Sequence, residues 1–179
     1  MKKFVEFAGI DGSGKTTLAQ AVAEKVGGVY YKCPPESLRG VRAYFDEQSP
    51  QARFHYYLAG NYVAADEIRK LAKVQPVMCD CYLGNTIAAH SVMLDRELCV
   101  PGDILLPNHI VFTTAPMKVI DGRLKTRPTR TKYEALKHLE PFNEALSRFF
   151  SGMPQVLRVD TSKLSIDESV NLILDHFRL

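Results

Sequence analysis

The chain has 179 residues, of which 46% are hydrophobic and 24% charged. This length and balance predict one compact globular domain over residues 1–179 and argue against a fibre or a disordered chain. The formal net charge of +3 favours anionic small molecules as partners, because a protein that binds nucleic acid usually carries a stronger basic patch. No apolar run approaches the roughly 20 residues that span a bilayer, so we expect a cytoplasmic protein without a membrane partner.

The most specific pattern is Gly9–Thr16, which reads GIDGSGKT and fits the phosphate-binding motif G-x-x-x-x-G-K-[ST]. A buried strand is predicted just before it, at Lys3–Ala8, and a helix just after it, at Thr17–Val26. This is the context that the motif requires. Its glycines let successive backbone N–H groups surround a phosphate, and the helix adds its positive end. A chance glycine-rich turn is the alternative.

The residue types of this loop indicate how it would bind a nucleoside triphosphate. Lys15 can reach the β- and γ-phosphates, and the Thr16 hydroxyl is placed to ligate Mg²⁺. A nucleoside triphosphate and Mg²⁺ are therefore the expected ligands of this loop. The predicted nucleotide-binding residues are Gly9, Asp11, Gly12, Ser13, Gly14, Lys15, Thr16 and Thr17.

Strands and helices alternate along the rest of the chain. The predicted strands are Val29–Cys33, Pro76–Cys81, Asn108–Thr114 and Gln155–Val159. The predicted helices are Glu36–Gln48, Gln51–Lys73, Gly84–Asp95, Ala115 to about Lys125, Tyr133–Phe150 and Ser165–Phe177. This alternation predicts an α/β fold in three layers, with a five-stranded parallel sheet between helices on both faces. Ligands of such sheets bind at the carboxyl ends of the strands, where the phosphate loop and Asp80 lie.

Two further features concern cysteines and basic residues. Four cysteines lack C-x-x-C spacing and are expected to be reduced thiols rather than a metal site. A basic segment, Thr126–Lys132, is interrupted by Pro128 and is expected to be an exposed loop.

Four segments together resemble the thymidylate kinase family: GIDGSGKTT, VMCDCY, TRPTRTKYE and VDTSKLSIDE. The resemblance implies the sheet of a P-loop kinase and transfer of the γ-phosphoryl group of ATP to dTMP with Mg²⁺. It also implies a homodimer. Catalysis of this kind works by positioning and charge neutralisation.

By that resemblance, Asp11 contacts the acceptor sugar, although a carboxylate there could also simply cap the turn. Asp80 corresponds to the family's strand-end acid, close to Mg²⁺ and the acceptor phosphate, and Tyr82 follows in the same motif. Arg42 corresponds to an arginine that meets the acceptor phosphate, although a lone exposed arginine is often only solvated.

By the same resemblance, the basic segment and Arg123 form a short lid at about 123–132. This predicted lid would bring Arg123, Arg127 and Arg130 to the transferring phosphate, unless it is only a solvated basic loop. Tyr57 corresponds to an aromatic residue that stacks on the acceptor base. It could equally pack in the core beside Phe54.

Three residues depart from the family pattern. Cys81 stands where the family has arginine after the strand-end acid, Asn61 stands where an arginine reads the base, and Ala89 replaces a tyrosine. Asn61 could still hydrogen-bond a base edge. The acceptor could therefore be dTMP, with Arg39 or Arg42 compensating.

A nucleoside, a modified nucleotide or another small alcohol is the second possibility, with Glu36 or Asp80 as the base. A non-catalytic nucleotide-binding module is a third hypothesis. A switch or motor ATPase is the least favoured.

Overall fold

The computed structural model describes residues 2–127 and 136–179. The strands within these ranges are β1 (Phe4–Ala8), β2 (Val29–Lys32), β3 (Val77–Asp80), β4 (His109–Thr114) and β5 (Val156–Asp160). The helices are α1 (Lys15–Lys25), α2 (Glu36–Arg39), α3 (Arg42–Asp46), α4 (Pro50–Leu71), α5 (Leu83–Met93), α6 (Met117–Lys125), α7 (Leu136–Phe149) and α8 (Ile166–Phe177). Within the described ranges, no helix is long and apolar enough to cross a membrane.

The five strands form one parallel sheet in the order β2-β3-β1-β4-β5. This confirms the predicted parallel sheet. In the register, Phe7 of β1 lies between Asp80 of β3 and Val111 of β4. The carboxyl ends of β1 and β3 are therefore adjacent, which brings the loop after β1 next to Asp80.

Side chains of the central strands alternate between the two helical layers. Val5 and Phe7 pack with α1 and α8, through residues such as Val22 and Ile173. Phe4 packs on the opposite face with α4 and α5, where Ile68 lies in the same buried cluster. This two-residue alternation is the geometry of a strand, and it anchors α1 and α5 at the sheet edge that carries the site.

The predicted helix Glu36–Gln48 is wrong, because the segment forms two short helices, α2 and α3. Gly40 and Val41 lie between them, and glycine is among the poorest helix formers. Val41, within this break, is 48% exposed. The break turns α3 so that its residues contact α4, and this contact forms one wall of the site.

Candidate active site

The carboxyl edge of the sheet opens into a large cavity of about 910 Å³, called here the main cavity. The loop between β1 and α1 lines one end, and side chains from α3, α4 and α5 line the other. A smaller cavity of about 330 Å³ lies beside the loop, lined by α6, α8 and the segment after β5. Four residues line both cavities, namely Gly12, Gly14, Thr17 and Arg127.

The loop between β1 and α1 has a backbone that only glycine adopts easily. Gly9, Gly12 and Gly14 have φ values of 146°, 83° and 97°. A Cβ atom on Gly9 would lie 2.5 Å from the hydroxyl oxygens of Ser13 and Thr113. The Ser13 side chain is fully buried, and its hydroxyl lies 2.7 Å from that of Thr113. The contact between Ser13 and Thr113 therefore holds the loop in place, and the curled backbone of the loop is suited to bind an anion.

Lys15 is buried at the mouth of this loop. It is 6% exposed, and its Nζ donates to the backbone oxygen of Ile10 at 2.9 Å. Oδ1 of Asp11 lies 3.7 Å from the same Nζ. An ammonium group held over a glycine-rich loop is the arrangement that receives phosphate oxygens. The Asp11 side chain is 49% exposed and lines the main cavity.

The two carboxylate oxygens of Asp80 differ in their hydrogen bonds. Oδ2 accepts hydrogen bonds from the hydroxyls of Thr16, at 2.6 Å, and Tyr30, at 2.9 Å. Oδ1 is buried and has no hydrogen-bond partner within the described ranges. An unsatisfied buried oxygen of this kind is costly unless a ligand completes it. Carboxylate and hydroxyl oxygens are ligands that Mg²⁺ prefers, so Thr16 and Asp80 fit a magnesium ion carried by nucleotide phosphates.

At the far end of the main cavity, one carboxylate gathers two arginines and a tyrosine. Asp46 of α3 accepts from Arg42 Nε at 3.3 Å, from Arg53 Nε at 2.9 Å and from the Tyr57 hydroxyl at 2.9 Å. The Arg53 guanidinium also lies over the Tyr57 ring, 4.5 Å from its centre. Tyr57 lines the main cavity, so its ring is placed where an acceptor base could stack on it.

His90 of α5 is locked in this wall as a neutral imidazole. Its Nε2 lies 2.9 Å from Arg53 Nη1, and its Nδ1 lies 2.7 Å from the backbone oxygen of Thr86. Since the guanidinium can only donate, Nε2 accepts and Nδ1 carries the proton. Burial lowers the pKa of His90 to about 4. The side chain is only 2% exposed.

The side of the main cavity formed by α3, α4 and α5 is called here the acceptor wall. Asn85 of α5 joins this wall to the phosphate loop. Its Oδ1 accepts from the Gly9 backbone N–H at 3.2 Å, and its Nδ2 donates to the Gly9 backbone oxygen at 2.7 Å. The start of α5 is in turn fixed by the buried Glu6 carboxyl, which accepts from Gly84 N–H at 3.0 Å. Burial raises the pKa of Glu6 to about 8, so this carboxyl is largely protonated near neutral pH.

Several predicted site residues gather at the main cavity. Those that line it are Gly9, Asp11, Gly12, Gly14, Lys15, Thr16, Thr17, Arg42, Tyr57, Asp80, Cys81, Tyr82 and Arg127. Three predictions of substrate contact need correction.

Asn61 is fully buried and donates to the Thr86 hydroxyl at 2.8 Å, so it lies behind the wall rather than on it. Glu36 does not line the main cavity, because its side chain is 83% exposed and pairs with Arg39. Tyr82 lines the main cavity but is only 1% exposed, because its ring packs against Phe4 and its hydroxyl donates to the Leu105 backbone oxygen.

The predicted lid is described only at its start. Arg123 belongs to α6 and is not in a loop. Its guanidinium donates to the Gly12 backbone oxygen at 3.0 Å and to the Thr161 hydroxyl and backbone oxygens at 2.8 and 2.9 Å. Arg123 therefore ties the phosphate loop to the segment after β5 beside the smaller cavity. Arg130 lies outside the described residues.

Sequence reasoning missed three residues of the site: Tyr30, Asp46 and Arg53. For Arg53 a signal was present, because it precedes Tyr57 by four residues on a predicted helix and so shares its face. The positions of the other two depend on contacts between elements that are distant in the sequence.

The parallel sheet with its phosphate loop and strand-end acid, together with the family match over most of the chain, makes this protein a P-loop nucleotide kinase. The thymidylate kinase family model matches residues 7–173. The chain belongs to the thymidylate kinase family.

Two curated relatives show how the similarity is distributed. A probable thymidylate kinase of Methanocaldococcus jannaschii is 27% identical over 184 aligned positions, which cover 98% of this chain and 95% of that protein. The human mitochondrial UMP-CMP kinase 2 is 38% identical over 73 residues, 41% of this chain. That match covers 16% of the human protein.

Solved structures show the same fold at lower identity. Thymidylate kinase from Candida albicans superposes with a TM-score of 0.79 at 15% identity, over 99% of this chain and 91% of that one. Deoxyadenosine kinase from M. mycoides, solved with bound dATP, superposes with a TM-score of 0.75 at 16% identity, over the whole of both chains.

Proposed function

We propose that the protein transfers the γ-phosphoryl group of ATP to a nucleoside monophosphate, with dTMP as the first acceptor to test. The observation that carries the proposal is the continuity of the main cavity. Lys15, Thr16 and Asp80 line one end, and Arg42 and Tyr57 line the other. A donor phosphate chain and an acceptor can therefore meet within one continuous cavity, and in-line transfer requires them to meet.

On the donor side, the nucleotide base and ribose would occupy the smaller cavity, and the phosphates would pass through the loop to Lys15. Thr16 and Asp80 would hold Mg²⁺, which supplies neutralisation of the phosphate charge when it is bound. Arg127 lines both cavities, and we propose that it and Arg130 add positive charge to the transferring group. Arg123 would act by holding the loop, through its bond to the Gly12 backbone oxygen.

On the acceptor side, Tyr57 would stack on the base and Asp11 would accept a hydrogen bond from the sugar. Arg42 is 43% exposed, and Arg39, 37% exposed, lines the same cavity, so both can meet a monophosphate. Arg53 adds a buried cation to this wall. These three arginines offset the missing family arginine at Cys81.

One observation favours a second acceptor class. Cys81 lines the main cavity and presents an uncharged thiol where the family has an arginine. A neutral group beside Asp80 suits an uncharged hydroxymethyl group of a nucleoside better than a dianionic phosphate. The carboxylate of Asp80 would then accept the hydroxyl proton.

An acceptor panel separates these possibilities. ADP release from ATP and Mg²⁺ is measured with each nucleoside and each monophosphate, and products are resolved by chromatography. The proposal predicts acceptor-dependent ADP and a diphosphate product from dTMP, and both should fall by several orders of magnitude in Lys15→Ala. A nucleoside-dependent monophosphate product would favour the second class. ATP binding without acceptor-dependent turnover would refute the kinase proposal and indicate a non-catalytic module.

We also propose a cytoplasmic homodimer that acts on small molecules. Light scattering during size-exclusion chromatography tests the assembly, and a monomer at micromolar concentration would contradict it.

A further inference from the structure

We propose that Tyr30 is a positioning residue that orients the Asp80 carboxylate for a metal-bound nucleotide. The inference rests on the proposed function, since it concerns how the same site holds Mg²⁺. It adds a residue from the edge strand β2, outside the phosphate loop and outside the segments that carry the family resemblance.

The two hydrogen bonds on Asp80 converge on a single oxygen. Thr16 Oγ1 lies 2.6 Å and the Tyr30 hydroxyl 2.9 Å from Oδ2, whereas Oδ1 is buried without a partner within the described ranges. Two donors from different elements fix the rotation of the carboxylate about its χ2 torsion. Fixed in this way, Asp80 keeps the lone pairs of Oδ1 unused and available to a cation.

Strand register explains why Tyr30 can reach Asp80. Tyr30 lies opposite Met78 of β3, and Asp80 is two residues further along the same strand. Side chains two residues apart share a face, so the Tyr30 ring lies on the Asp80 face, packed against the cluster that contains Met78 and Val22. A tyrosine is long enough to span this diagonal. The carboxylate oxygen can only accept, so the Tyr30 hydroxyl is the donor in this bond.

The same arrangement prepares Thr16. Because its hydroxyl hydrogen is donated to Asp80, the lone pairs of Thr16 Oγ1 remain available as a ligand. Without the Tyr30 donor, the carboxylate could rotate and Thr16 could bond to either oxygen. Partners that orient metal ligands typically contribute 10–100-fold to metal affinity.

The test compares two single-atom deletions on β2. Tyr30→Phe removes the hydroxyl that bonds Asp80. Tyr31→Phe removes a matched hydroxyl on the next residue, which donates to Glu67 Oε2 at 2.7 Å and lies away from the main cavity. Calorimetric titration with ADP, in MgCl₂ and separately in EDTA, gives the factor by which Mg²⁺ strengthens nucleotide binding. This readout needs no acceptor and no turnover.

The wild type and Tyr31→Phe should show the same strengthening by Mg²⁺. In Tyr30→Phe it should fall about tenfold, with ADP binding in EDTA unchanged. Tyr30→Met, a second variant without the hydroxyl, should behave like Tyr30→Phe and serves if that variant does not fold. Full strengthening in either hydroxyl-less variant would overturn the role of Tyr30. Absence of any Mg²⁺ effect in the wild type would instead contradict the metal site of the proposed function.

Discussion

His90 offers a quantitative test of the acceptor wall. Burial lowers its pKa from the ordinary 6.5 to about 4, the hydrogen bond to the Thr86 backbone oxygen opposes this, and Arg53 adds to the lowering. Nε2 already accepts a hydrogen bond from Arg53, so a proton there would place two cations in contact.

The sign of the pH effect follows from these values. Between pH 6.5 and 4 the unfolded chain binds a proton at His90 that the folded protein does not, so the stabilisation is complete above pH 6.5 and is lost as pH falls towards 4. A pKa lowered from 6.5 to about 4 corresponds to about 3 kcal/mol in the free energy of unfolding. Of this, about 2 kcal/mol should be lost on going from pH 7.5 to pH 5.

His90→Gln isolates this effect, because glutamine does not titrate and can both accept from Arg53 and donate to the Thr86 oxygen. Urea unfolding of both proteins at pH 7.5 and pH 5 gives the difference in their free energies of unfolding. We expect the wild type to lose about 2 kcal/mol relative to the variant over this interval. A difference that stays constant with pH would show that His90 is not held neutral, and the description of this wall would be wrong.

Three further predictions concern neighbouring parts of the site. Burial raises the Glu6 pKa from 4.5 to about 8, so its contribution to stability is present below pH 4.5 and is lost as pH rises through 8. The thermal stability of Glu6→Gln should therefore rise relative to that of the wild type as pH increases between these values. Melting temperatures of the two proteins that change in parallel with pH would contradict this. Cys81→Arg should raise dTMP turnover if the acceptor is a monophosphate, whereas an unchanged or lower rate would place Cys81 in another acceptor's pocket. Asn85→Ala removes both side-chain bonds to Gly9 and should weaken ATP binding about tenfold, with a smaller effect on the acceptor KM. A larger effect on the acceptor KM than on ATP binding would make Asn85 an acceptor contact.

The phosphate loop could be predicted from the sequence because its chemistry dictates its residues. Close backbone approach to a phosphate needs glycine at fixed positions, and Lys15 and Thr16 follow at fixed spacing. The strand-end position of Asp80 followed from the alternation of strands and helices. The parallel sheet was confirmed for the same reason, since apolar runs and turn residues are local signals.

Most contacts within the acceptor wall could not be predicted, because they are made by packing between distant elements. Arg53 and His90 are 37 residues apart and meet only because α4 lies against α5. Asp46 reaches Arg53 and Tyr57 only because the chain breaks between α2 and α3. Asn61 stands where a base-reading residue was expected, yet its contacts with Cys33 and Thr86 make it an interior residue.

The most direct test of the account is a competition titration with a bisubstrate analogue in which adenosine and thymidine are joined through five phosphates. If the cavity is continuous, the analogue binds in a single event and more tightly than ADP. Both ATP and dTMP should then displace the analogue. Displacement by ATP alone, or two independent binding events, would contradict the claim that donor and acceptor share the cavity between Lys15 and Arg42.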